Sequence, residues 1–425
     1  MYPWGLCRIS CLIGVAVAGL GAPGTAYTQS SNDRVTELER KLDRSLKIID
    51  ELAARLKQIE AAAPKNDDVV KQSARIESVE QQVSQMAVAG AARRDDNSGL
   101  PLHGFADVGA GTASGGTRKG FTVGSLDFYL TPQLSERTKA LIEVVFEVGA
   151  DGGVAADLER MQLGYTFNDA ATAWLGRFHT PYGYYNNAFH HGQQIATSLR
   201  RPRFIDFEDK GGILPAHTTG VWLTGNTRVG TGKVTYDVFG GNSPRIVGNT
   251  LNMNQAGSTN HNLDVGGNLG YLFGGELDGL KLGGHYLRAR VADDQANVTK
   301  VNIWGGYAVY DTDRWEHIAE VYRFNNSDAS GGTGPKKSSA GFVQLGYRAA
   351  HNWTPYARYE RAALNQGDNY FAQQAFGSSY TRQALGLRYD LDLKSTLKVE
   401  LAQTRVSDRS PTVFSEALLQ YAIRF

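Results

Sequence analysis

The sequence predicts an all-β fold: a sixteen-stranded antiparallel transmembrane β-barrel preceded by an α-helical coiled coil. Three observations predict it. From about residue 100 apolar residues recur with period two. In "ALIEVVFE", Ala140, Ile142, Val144 and Phe146 face one way and Leu141, Glu143, Val145 and Glu147 the other. The connections between such runs alternate, in chain order, between long and short. The chain ends on "SEALLQYAIRF", in which Phe425, Ile423, Tyr421, Leu419 and Ala417 form an apolar row at every second position.

Composition fits that class. The 425 residues exceed a usual single domain, and large barrels are the accepted exception. A formal net charge of +1 leaves no basic excess for a nucleic-acid partner. Gly is frequent (49) and Met scarce (4), which suits many Gly-broken strands better than a Leu/Met helical core.

Residues 1–26 read as a secretory signal: Arg8 is the positive region, "ISCLIGVAVAGLG" the apolar one, and "GTA" the small-residue cleavage site. The apolar run is short for a membrane anchor, which needs about 20 residues. The only cysteines, Cys7 and Cys11, fall inside this segment. Arg8 stands three residues before Cys11, where a lipoprotein signal carries an aliphatic residue. The mature chain is therefore expected to hold no disulfide and no cysteine metal site. Without another long apolar run, an exported chain is soluble or crosses a membrane as a barrel.

Residues 27–90 predict a coiled coil. Val35, Leu38, Leu42, Ile49, Leu52, Leu56 and Ile59 repeat at steps of three and four, interrupted only by Ser45, after the capping residues "SND". Pro64 breaks the run, and a weaker register follows from Val69 to Met86. The stripe is too narrow for ordinary globular packing, which favours self-association over a helix folded onto its own barrel. Residues 91–100 are a linker, and 101–425 the barrel.

Within the barrel the alternation gives sixteen strands: 102–112, 120–131, 138–149, 157–167, 171–180, 218–225, 232–241, 262–272, 280–290, 299–310, 314–325, 338–349, 353–362, 378–389, 395–405 and 412–425. Even-numbered connections such as "NDA", "DTD" and "AHNW" are short, while 181–217, 242–261, 326–337 and 363–377 are long. Short turns on one rim and long loops on the other describe a membrane barrel, not a sandwich, whose loops need not sort by parity.

The terminal "LLQYAIRF" resembles the C-terminal signal of bacterial outer-membrane proteins, in which the assembly machinery recognises the last strand; Phe425, Ile423 and Tyr421 carry that resemblance. Residues 100–425 resemble the sixteen-stranded trimeric porins in architecture, including a long third outer loop. The preceding coiled coil is similar to that of DcaP-like porins, and "GRFHTPYGYY" resembles the phosphate-selective porin family. The chain lacks the Lys/Arg ladder of the latter. The resemblance implies an outer-membrane homotrimer with a periplasmic coiled coil, whose partners are lipid, the barrel-assembly machinery and small hydrophilic solutes. It implies passive diffusion without catalysis or a cofactor; the alternatives are a sugar-, phosphate- or dicarboxylate-selective channel, a barrel hydrolase, or a trimeric adhesin. No G-x-S-x-G elbow is present, and sixteen strands per chain argue against an adhesin's shared barrel.

If one row of each strand faces lipid, the other is expected to line a wet lumen. That row includes Asp107, Asp127, Glu143, Glu147, Arg348, Arg358, Arg382, Arg388 and Lys398. Early strands lean acidic and late ones basic, which makes either a transverse field or a lattice of ion pairs. The long loop 181–217 is expected to fold inward on its tyrosines and phenylalanines. It would bring Arg200, Arg201 and Arg203 ("LRRPR") to a constriction with Arg177, opposed by Asp206, Glu208 and Asp209. Those charges either select anions or pair with one another. The nearby His179, His190, His191 and His217 lack metal-ligand spacing, so no metal site is expected.

Overall fold

The computed structural model describes residues 102–114, 119–149, 152–189, 192–253, 262–332, 334–349, 352–407 and 411–425. The signal 1–26, the coiled coil 27–90 and the linker 91–100 lie outside the described residues. The strands are β1 (Leu102–Ala113), β2 (Gly120–Leu130), β3 (Thr138–Val148), β4 (Val154–Asn168), β5 (Ala171–His179), β6 (His217–Val229), β7 (Gly232–Asn242), β8 (Arg245–Val247), β9 (Thr250–Asn252), β10 (Leu263–Leu272), β11 (Leu280–Ala292), β12 (Val298–Asp311), β13 (Trp315–Asp328), β14 (Lys336–Tyr347), β15 (Trp353–Ala363), β16 (Tyr380–Asp390), β17 (Ser395–Val406) and β18 (Thr412–Arg424). Sixteen of them form one antiparallel barrel, with β7 paired to β10 and the seam closed by β1 on β18. β8 and β9 form a separate hairpin in the loop between β7 and β10, too short for the alternation pattern to reveal.

The outward rows are apolar because lipid offers no partner for polar side chains. Along β18 the outward row is Ser415, Ala417, Leu419, Tyr421, Ile423 and Phe425, in register with Gln403, Leu401, Val399, Leu397 and Ser395 of β17. On the short-turn rim, Tyr310, Trp315, Tyr347 and Trp353 are exposed. Trp315 packs at a tilt on Tyr347 (4.6 Å) and Trp353 on Tyr389 (4.3 Å). Such an aromatic girdle marks a membrane interface. One expected loop shrinks: β13 and β14 stay paired as far as Asn326 and Lys336, so 326–337 is reduced to 329–335.

β5 is the short wall strand. It leaves β4 at the Met161–Arg177 pair, so the upper part of β4 has no β5 partner. The loop 180–216 therefore departs below the rim and turns inward. Above it, Ile246 and Leu251 of the hairpin and Tyr370 and Phe371 of the loop 364–379 join Phe204, Ile205, Ile213 and Leu214 in one buried apolar cluster. The same cluster takes in the inner faces of Ala289, Val291, Val301, Ile303, Phe324, Ala340 and Phe342, at the long-loop end of β11–β14.

Candidate functional site

Burial divides the barrel wall in two. Along β12–β15 every second residue is buried, so that inner face is covered. Along β4 both rows are open near the long-loop end, including the inward Ala155 and Asp157. The inward loop thus lies against the β11–β17 wall, reaches β3–β4 through Phe207, Asp209 and Lys210, and leaves the lumen open beside the long-loop end of β4.

Folding a loop into the lumen takes its backbone groups out of bulk water, and each then needs a partner. The wall supplies them by charge type. Carboxylates accept the loop's N–H groups: Glu320 of β13 from Tyr184 (3.2 Å) and Tyr185 (2.5 Å), Glu360 of β15 from Arg203 (2.8 Å), and Glu400 of β17 from Arg200 (3.5 Å). Glu316 accepts the Thr197 hydroxyl at 2.6 Å. Cations donate to its carbonyls: Arg358 to Arg200 (2.7 Å) and Arg201 (3.3 Å), Arg388 to Ile195 (2.8 Å), and Lys398 to Gln193 and Ser198. Arg358, Arg388 and Lys398 therefore do not line open water, as the two-residue period predicts. They are buried, because the loop covers them.

The late-strand charges also pair with one another. Arg358 meets Glu360 at 2.9 Å, and Arg382 meets Glu416 at 2.5 Å and Glu400 at 3.4 Å. Arg388 meets Asp390 at 2.7 Å. Arg348 falls beyond the end of β14, in the turn, where it pairs with Asp311 at 2.8 Å. Of the two alternatives for these charges, the lattice of ion pairs is what forms. On the early strands, Glu143 is buried against Arg160 at 2.5 Å, and Asp127 is buried. Asp107 accepts the Ser125 N–H and the Gln420 amide, each at 3.0 Å.

Within the loop the three arginines separate. Arg201 is buried and donates to the carbonyls of Phe189 (2.6 Å) and Ile205 (3.0 Å), with its guanidinium 4.4 Å from the Phe207 ring. Arg203 sits over Phe376, its guanidinium carbon 3.5 Å from the ring centroid. Arg200 is exposed, and no ion pair of its guanidinium occurs among the described residues. The expected face-off with Asp206, Glu208 and Asp209 does not form as ion pairs. Glu208 instead accepts the His217 N–H at 2.9 Å, with its other oxygen 3.3 Å from His217 Nδ1, and Asp209 pairs with Lys210 at 2.9 Å. Burial would raise the Glu208 pKa, but the charge and hydrogen bonds of His217 outweigh it and hold the carboxyl below its ordinary value. Burial pushes Asp206 up. Arg177 donates to the Glu159 carbonyl at 2.9 Å.

Between the loop and β3–β4 a small recess is lined by Val145, Glu147, Ala155, Asp157, Glu159, Phe207 and Asp209. Lys210 of the loop bridges Glu147 and Asp209 at its edge. The open lumen therefore has an acidic β3–β4 wall, while the loop contributes the exposed Arg200. The two-residue period places Glu316, Glu320, Glu360 and Glu400 inside but assigns them no task. Their signal is position: each stands in the inward row of a strand facing the loop.

No family model matches the chain, and no curated protein does. Among solved structures, an anion-selective porin from Comamonas acidovorans is 14% identical, with a TM-score of 0.54 over 77% of this chain and 99% of its own. OmpT, an outer membrane protein of Vibrio cholerae, in its trimer form is 11% identical (TM-score 0.53, 77% and 99% covered). OmpF of Salmonella typhi, in complex with daunomycin, is 14% identical (TM-score 0.50, 78% and 99% covered). At these identities the likeness establishes a fold shared with outer-membrane porins.

Proposed function

We propose that the chain is an outer-membrane porin that lets small hydrophilic solutes diffuse passively. One observation carries the reading: both rows of β4 are exposed at its long-loop end, including the inward Ala155 and Asp157, so the inward loop leaves a charged opening into the lumen there. A barrel with no transport task could fill that opening with apolar side chains, as the long-loop end of β11–β14 is filled. The apolar outer rows and the porin-type fold support placement in a bacterial outer membrane. A trimer form among the structural neighbours supports a homotrimer here, with the periplasmic coiled coil as a further contact between chains.

Ion selectivity in this reading comes from Arg200 and Lys210 set against Glu147, Asp157 and Asp209. Since Arg201 and Arg203 are committed to the loop and its aromatic neighbours, the anion preference expected from three arginines reduces to that of one. Arg200 pulls anions toward the loop side while the acidic wall holds cations, so total selectivity is weak and the local field is strong. A sugar-, phosphate- or dicarboxylate-specific channel has no separate observation in its favour. The test is the reversal potential of reconstituted protein across a salt gradient. A small potential that moves toward cation preference in Arg200→Ala supports the reading, and a barrel that passes no ions contradicts it.

A further inference from the structure

The outward rows of β11–β17 change character near the long-loop rim. There Arg288 and Arg290 of β11, Lys300 of β12, Arg323 of β13, Lys337 of β14, Arg361 of β15 and Arg405 of β17 all stand on the side facing away from the lumen. Their register fixes this: Tyr286, Trp304 and Arg323 follow one another across β11, β12 and β13, and Gly341, Arg361, Thr381 and Arg405 across β14 to β17. Apart from Lys300, which is half-buried, all of them are exposed. Among the described residues, the outward rows of β10–β18 carry no Asp or Glu, and these seven cations make no ion pair. One carboxylate, Asp328, has an electrostatic tie to Lys300, and it sits at the inward register of β13. At the opposite rim the outward rows carry aromatics, and the exposed cations Arg314 and Lys394 stand in the turns.

Depth locates this collar. Tyr310 and Lys300 are ten residues apart on one outward row, about 25 Å along the membrane normal for a strand tilted by roughly 40°. That is the height of a barrel's apolar band, so the cations begin where hydrocarbon ends. Tyr286, Trp304 and Tyr359 lie one or two outward positions below Arg288, Lys300 and Arg361, at the depth of an interfacial aromatic belt. Arg290 and Lys300 are directly opposite each other across β11 and β12. Like charges so placed repel, and an anion bridging them removes the penalty. A second copy of the same wall offers no carboxylate and would add to the repulsion.

The geometry points to a binding surface for phosphorylated lipid headgroups of the leaflet at the long-loop rim, with neighbouring guanidinium groups chelating phosphate. The inference rests on placing the barrel in an outer membrane. The test uses full-length protein in neutral detergent micelles, titrated with diphosphoryl lipid A and with its phosphate-free form. Wild type is expected to bind the diphosphoryl lipid at least about tenfold tighter, a preference weakened by raising salt. The triple change Arg288→Gln, Arg290→Gln and Arg323→Gln should remove most of that preference and leave single-channel conductance unchanged, since none of the three faces the lumen. Equal binding of the two lipids would overturn the inference, as would an undiminished preference in a conducting triple variant. Displacement of the lipid by millimolar inorganic phosphate would also overturn it, by showing a site for the free ion. If wild type conducts without a lipid preference, the lipid site fails and the porin reading stands. If it prefers the phosphorylated lipid but passes no ions, the lipid site stands and the porin reading fails.

Discussion

Replacing Arg358 by Met should release the inward loop without dismantling the barrel. Arg358 is buried, pairs with Glu360 at 2.9 Å, and donates to Ser198 Oγ (2.9 Å) and the carbonyls of Arg200 and Arg201. Met fills similar volume but leaves Glu360 with the Arg203 N–H, the Tyr380 hydroxyl at 3.1 Å and a distant Arg382 at 3.9 Å. Breaking one half of a buried pair costs about 3–5 kcal/mol. At roughly 1.4 kcal/mol per decade, loop opening becomes about two to three and a half orders of magnitude more populated. The barrel ladder is untouched, because β14, β15 and β16 pair through backbone groups. Hydrogen exchange at Leu199, Arg200 and Arg203 should accelerate by that factor, single-channel currents should become larger and noisier, and heat-modifiable migration should persist. Exchange at those amides no faster than wild type, with quiet channels, would refute the anchoring role. Loss of the folded band would show that loop and wall form one cooperative unit.

Other outcomes follow from the same contacts. Phe425 exchanges backbone hydrogen bonds with Gly104 across the seam and packs on Phe128 at 5.9 Å, so Phe425→Asp or deletion of 416–425 should give exported protein without heat-modifiable barrel. Arg200→Ala should leave stability within about 0.5 kcal/mol of wild type, the usual range for an exposed site, while moving the reversal potential toward cations. Glu208 is depressed below its ordinary value of 4.5, so it stabilises the loop above that pH and loses the effect as pH falls through its lowered value. Channel noise should therefore rise on acidification below the ordinary carboxyl value of 4.5, and Glu208→Gln should abolish that dependence. In the stalk, Ile49→Asp with Leu52→Asp should abolish association of a 31–88 peptide, read by sedimentation; a wild-type peptide that stays monomeric and unfolded would refute the coiled coil.

The strands are legible in the sequence because lipid on one side and polar groups on the other impose a two-residue period. The inward loop is legible from its length and its aromatic content. Which of its charges meet which is not, because partners such as Glu320 and Tyr185 lie 135 residues apart in sequence. The covered half of the lumen leaves a fainter mark: the apolar phase inverts within a strand. β11 is apolar outward at Leu280, Leu282 and Tyr286, then inward at Leu287, Ala289 and Val291. β13 does the same, from Trp315 and Val321 to Tyr322 and Phe324. Read as a single phase, these strands suggest a wet lumen throughout. The inversion marks both where loops cover the inside and where cations occupy the outside.

An accessible lumen beside the long-loop end of β4 is the feature on which the channel reading depends, and planar-bilayer recording of folded, heat-modifiable protein tests it most directly. Such a lumen should give discrete, ohmic conductance steps that grow in proportion to salt concentration. Folded barrels that insert into the bilayer and leave it silent would contradict it.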